Sequence, residues 1–80
     1  MRHCLVIGAN EISDDFINRV EKNKHWGYRI EGVLDNWIMT EKEYRGYPVL
    51  GGIDKLVEVL LNKYFDLVVI ALTSEDAEEL

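Results

Sequence analysis

Cysteine, proline, positive charge and long apolar runs are all scarce in this chain of 80 residues. The single cysteine, Cys4, excludes an internal disulfide. It stands within an apolar stretch, where cysteine packs as a small hydrophobe. The single proline, Pro48, leaves the other segments free to form uninterrupted helices and strands. No apolar run exceeds the one from Leu67 to Leu72, too short for a membrane span or the core of a secretory signal. Nine Lys and Arg stand against 15 Asp and Glu, a net charge of −6, which argues against a nucleic-acid or anionic-membrane surface. The two histidines, His3 and His25, lack the spacing of a metal pair, and no metal ligands are assigned. No nucleophile has a base beside it. Asp14-Asp15 and Glu75-Asp76-Glu78-Glu79 read as solvated helix faces, so no catalytic residue is assigned either.

What is present begins at the first turn. Leu5-Val6-Ile7 is continuously apolar, as suits a strand covered on both faces, and it ends in Gly8. Ile12, Phe16, Ile17 and Val20 then recur at helical spacing, with Asn10 or Ser13 available as cap. This is how a nucleotide-binding strand-to-helix unit opens. A dinucleotide fingerprint would ask for glycine where Asn10 and Ser13 stand.

After a polar break at Asn23 to Gly27, residues Tyr28 to Leu34 read as a second strand. Alternation puts Tyr28, Ile30 and Leu34 on one face and Arg29, Glu31 and Val33 on the other. Trp37 to Gly46 reads as an irregular connector, and Tyr47 to Leu50 as a short edge strand marked by Pro48. Gly51-Gly52 makes a turn. Ile53, Leu56, Val57, Leu60, Leu61 and Tyr64 form the cleanest helical pattern in the chain. Leu67 to Leu72 reads as the most buried strand, with Thr73 or Ser74 capping a helix from Glu75. The expectation is one α/β domain over 1–80, a Rossmann-like open parallel sheet whose four strands stand in the order 3-2-1-4. The fourth strand would then be an edge with no charge or proline to protect it. That implies a fragment cut before a fifth strand, or a second copy of the chain in its place.

Ligands of open α/β sheets lie beyond the strand C-termini. The candidate binding residues are therefore Gly8, the amides of Asn10, Glu11 and Ile12, the acid Asp35 that closes the second strand, and Thr73-Ser74. Each has a plainer alternative: Gly8 as a tight turn, Asp35 as a solvated turn residue, Thr73 and Ser74 as caps. Three carboxylates, Glu11, Asp14 and Asp15, stand near the turn, so NAD is a less suitable ligand than a nucleotide or UDP-sugar.

Several segments together resemble a known group. They are Leu5-Val6-Ile7-Gly8-Ala9, Gly27-Tyr28-Arg29-Ile30-Glu31-Gly32-Val33-Leu34-Asp35-Asn36, Gly46-Tyr47-Pro48-Val49-Leu50-Gly51 and Phe65-Asp66-Leu67-Val68-Val69-Ile70-Ala71-Leu72. The chain resembles the CoA-binding-like, Rossmann-type domain of bacterial polyprenyl-phosphate sugar-1-phosphate transferases of exopolysaccharide and capsule synthesis. It is also similar to domains of nucleotide-sugar dehydratases and sugar O-acyltransferases. The resemblance implies a parent enzyme at the cytoplasmic face of the bacterial inner membrane, with the chemistry outside these residues. In the acyltransferases the corresponding domain holds a UDP-sugar, and Gly8 and Asp35 match its site. Three functions follow as expectations: a nucleotide or nucleotide-sugar binding, regulatory module; an interaction or dimerisation module that has lost its pocket; or the N-terminal domain of an acyltransferase.

Overall fold

A computed structural model describes residues 1–73. They form a mixed α/β fold: β1 (Arg2–Ile7), α1 (Glu11–Lys22), β2 (Tyr28–Leu34), β3 (Glu43–Tyr44), β4 (Tyr47–Gly51), α2 (Leu56–Asn62) and β5 (Leu67–Ile70). Short 3-10 turns at Lys24–Trp26 and Ile53–Lys55 precede β2 and α2. The sheet runs β3-β4-β2-β1-β5. β1 pairs in parallel with β2 and β5, and β2 with β4; only β3 is antiparallel, to β4.

The connector expected to be irregular thus contributes a strand. Glu43 pairs with Pro48 and Tyr44 with Tyr47, so β3, not the Pro48 strand, is the sheet's edge on this side. Gly46 (φ 90°) and Arg45 (φ 53°) make the tight reversal between them. Proline is tolerated beside so short an edge because few ladder bonds are required of it.

β1 is the most buried element, with Cys4, Leu5 and Val6 fully enclosed. Burial pushes the Cys4 thiol pKa up, which keeps it an inert packing group. On one face, Cys4 and Val6 pack with Ile17 and Val20 of α1 and with Ile30 and Val33 of β2. Each of the Val and Ile side chains contributes roughly 1.5–3 kcal/mol on burial.

That cluster overturns the simple alternation expected of β2. The β1–β2 register slips by one residue, Cys4 facing Ile30 but Leu5 facing Gly32. The bulge at Glu31 restarts the period, so Val33 joins Ile30 on the α1 face and Leu34 turns to the other. Gly32 beside the bulge also leaves room for a neighbouring side chain. A Cβ there would lie 2.5 Å from the Leu50 Cδ1 of the neighbouring strand.

The other face buries Leu5, Ile7 and Leu34. Right-handed crossovers would place α2, in the β4-to-β5 connection, on this face, opposite α1. Here the periodic pattern misleads. Ile53, Leu56 and Val59 are half-buried, whereas Val57, Leu60, Leu61 and Tyr64 are exposed, Leu61 by 81%. The apolar arc of the helix is wider than the surface it covers. β5 departs from expectation in the same way: it ends at Ile70, its first three residues are half-buried, and Ile70 is 65% exposed. No strand pairs with its outer edge among the described residues. Ser74 and the expected helix from Glu75 lie outside the described residues. No helix among those residues is long and apolar enough to cross a membrane.

Candidate functional site

The C-terminal ends of the strands bring Gly8, Asn10, Asp35 and Ala71 together. Gly8 donates its N–H to the Leu34 carbonyl at 2.7 Å and has φ 102°. A Cβ at this position would fall onto the Ala71 carbonyl, 2.9 Å from its carbon and closer still to its oxygen. Gly8 is therefore required twice, by backbone conformation and by the approach of the chain leaving β5.

Asn10 is extended (φ −160°) and caps α1. Its Oδ1 accepts from the amides of Ile12 at 2.9 Å and Ser13 at 3.3 Å. Ser13 completes a capping box, its Oγ accepting from the Asn10 N–H at 2.9 Å. The Asn10 Nδ2 donates to the Ala71 carbonyl. One side chain thus satisfies the helix start and latches it to the end of β5. The Ile12 and Ser13 amides are among those that a phosphate at this turn would take. Ser13, which replaces the glycine expected to seat the helix against the strand, is fully buried.

Asp35 is 2% exposed and is not a solvated turn residue. Its Oδ2 accepts from the Ala9 N–H at 2.7 Å, and its Oδ1 from the amides of Trp37 at 2.8 Å and Ile38 at 3.2 Å. The carboxylate nails the glycine turn to the loop after β2. Glu11 and Ile12 stand exposed on the first turn of α1, with Ile12 53% open to solvent. Thr73 is exposed beyond β5. Of the expected site residues, then, Gly8, Asn10 and Asp35 converge in one network that is satisfied by the protein's own backbone. Among the described residues no group of three His, Cys, Asp or Glu is arranged to hold a metal ion.

A second polar network was not anticipated. Because of the bulge, Glu31 meets His3 Nδ1 at 2.5 Å, Lys63 Nζ at 3.2 Å and Arg29 Nε at 3.6 Å. The bond to His3, with help from Lys63 and Arg29, holds the Glu31 carboxyl below its ordinary pKa despite its burial. The backbone N–H of His3 is bound by Asp66 at 2.7 Å.

The cavity that accompanies these residues is at the other end of the sheet from the glycine turn. It measures about 570 Å³ and is walled by Val20, Lys24, Arg29, Ile30, Tyr47 and Pro48. The only sequence signal for it was Pro48, which marks where a ladder stops. Compared with protein-family models, with curated proteins and with solved structures, the chain matches none of them.

Proposed function

We propose that this chain is a non-catalytic, Rossmann-type assembly module of a bacterial sugar transferase of polysaccharide synthesis, and that it self-associates through β5. The observation that carries the choice between binding and assembly is the Asn10 side chain. Its Oδ1 already holds the Ile12 and Ser13 amides, so a phosphate would have to displace an intact helix cap. Losing such a cap costs about 1 kcal/mol before any ligand contact is made. Asp35, the residue that would hold a ribose, has both oxygens on backbone amides. The setting in polysaccharide synthesis rests on the segment resemblance, and the cytoplasmic membrane face comes with that setting.

Assembly has its own support. The outer edge of β5 is unpaired among the described residues, and Leu67 to Ile70 carry neither charge nor proline to deter pairing. The register puts Val68 and Ile70 on the α2 face, and α2 runs antiparallel to β5, so Ile70 is level with the first turn of the helix. Exposed Val57, Leu60, Leu61, Tyr64 and Ile70 together offer roughly 300–500 Å² of apolar surface. Doubled by a two-fold axis and joined by strand pairing, this approaches the lower end of stable interfaces, about 1,200 Å².

Sedimentation equilibrium tests the reading. The expected result is a monomer–dimer equilibrium in the tens of micromolar, about −6 kcal/mol, abolished by Ile70→Lys. A monomer at about 1 mM sinks self-association. In parallel, amide chemical-shift mapping with UDP, a UDP-sugar, NAD and CoA decides the ligand question. Saturating shifts at Gly8 to Ile12 and Asp35 with any of them would restore the nucleotide-binding module.

A further inference from the structure

The β2–β4 ladder is only half closed. Pairing joins Val33 to Val49 and Leu34 to Gly51, while β2 runs back to Tyr28 and β4 to Tyr47. Over that first half, β2 has no strand on its β4 side among the described residues. Pro48 stands opposite this opening. Having no N–H, it cannot donate the bond that would extend the ladder. The 570 Å³ cavity lies along this unpaired half, lined by residues of both strands, a volume in the range of small-molecule sites.

Its walls are of two kinds. Val20 and Ile30 are buried apolar groups of the α1-face core, and the Tyr47 ring and the Pro48 ring close the opposite side. At the mouth stand two exposed cations, Lys24 from the 3-10 turn and Arg29 from β2. The carboxylate that shares the lining, Glu31, is already met by His3, Lys63 and Arg29 itself. Glu21 is outside the lining and accepts from the Tyr47 hydroxyl at 2.7 Å. In a chain of net charge −6, the mouth of this cavity is thus a local positive site over an apolar floor. One ammonium and one planar guanidinium suit a monoanion, and the guanidinium fork fits a carboxylate.

We propose that the gap between β2 and β4 is a binding site for a small amphipathic carboxylate, its apolar body on Val20, Ile30 and Pro48 and its head group at Lys24 and Arg29. This goes beyond the assembly role and does not use the glycine turn or β5. Octanoate is the probe, followed by amide chemical shifts, with octylamine and 1-octanol of equal chain length as comparisons. Octanoate should give saturating shifts clustered at Val20, Lys24, Ile30 and Tyr47. Lys24→Ala combined with Arg29→Ala should weaken it at least about tenfold, roughly 1.4 kcal/mol. Both side chains are exposed, so the variant keeps its fold; raising the salt on the unaltered protein should weaken binding independently. No saturation at those amides by about 10 mM overturns the proposal. So does equal binding of octanol or octylamine, or an affinity that neither the double variant nor salt alters.

Discussion

Replacing Gly8 by alanine separates architecture from ligand binding at the first turn. The new methyl would sit on the Ala71 carbonyl, which is backbone and cannot rotate away. A residue with a Cβ held at φ 102° costs about 1–3 kcal/mol. Relieving the clash means moving the end of β5, which loosens the Ala71 N–H bond to the Ile7 carbonyl (2.7 Å) and the Asn10 latch. At about 1 kcal/mol each, these bring the loss to about 3–5 kcal/mol. A domain of this size has about 4–12 kcal/mol in all. Thermal unfolding should therefore drop by about 12–40 °C. Gly27→Ala is the internal comparison: φ is 76° but nothing lies within 4 Å, so only conformational strain of about 1–2 kcal/mol remains. If Gly8→Ala costs no more than Gly27→Ala, the close approach of β5 to the turn is not a stabilising constraint and the argument fails.

Two further outcomes follow from particular contacts. Glu31 has its pKa depressed in the fold, so its contribution is fully present above the ordinary carboxylate value of 4.5 and is lost as pH falls through the lower folded value. Glu31→Gln should cost about 1 kcal/mol in urea unfolding at neutral pH, a difference that closes as the pH falls through the lowered folded value; a difference that persists unchanged in acid would disprove the coupling. Gly32→Ala should destabilise by about 1–2 kcal/mol through its collision with Leu50, and by clearly less in a Leu50→Ala background. Additive effects of the two changes would show that the Leu50 side chain is not what excludes a Cβ at position 32.

The elements that the residue pattern made legible are those whose local and tertiary requirements agree. Leu5 to Gly8 reads as a covered strand and is one, and Asn10 with Ser13 reads as a cap and forms a capping box. Ile12, at a core position of the helical pattern, is more than half exposed. The bulge at Glu31 was illegible because one inserted residue leaves composition unchanged while inverting every later position; Gly32 beside it was the only trace. β3 is two residues long, below the length at which periodicity exists. The helix before β5 was legible as a helix but not as a half-covered one, since an apolar pattern records what can be buried and not what is present to bury it. Asp35 was found as a candidate by position, yet the number of backbone amides around it depends on the path of the following loop.

The Asn10 side chain has one consequence for the order in which the chain folds. Its Oδ1 partners are two and three residues away, contacts a nascent helix makes within its own first turn. Its Nδ2 partner is 61 residues away and exists only once β5 has docked beside β1. The first bonds face almost no loop-closure entropy, and the last must wait for most of the chain to be gathered. A single amide group therefore joins a contact made within one helical turn to one that spans most of the chain, and Asn10→Asp, which keeps the accepting oxygen and removes the donor, separates the two.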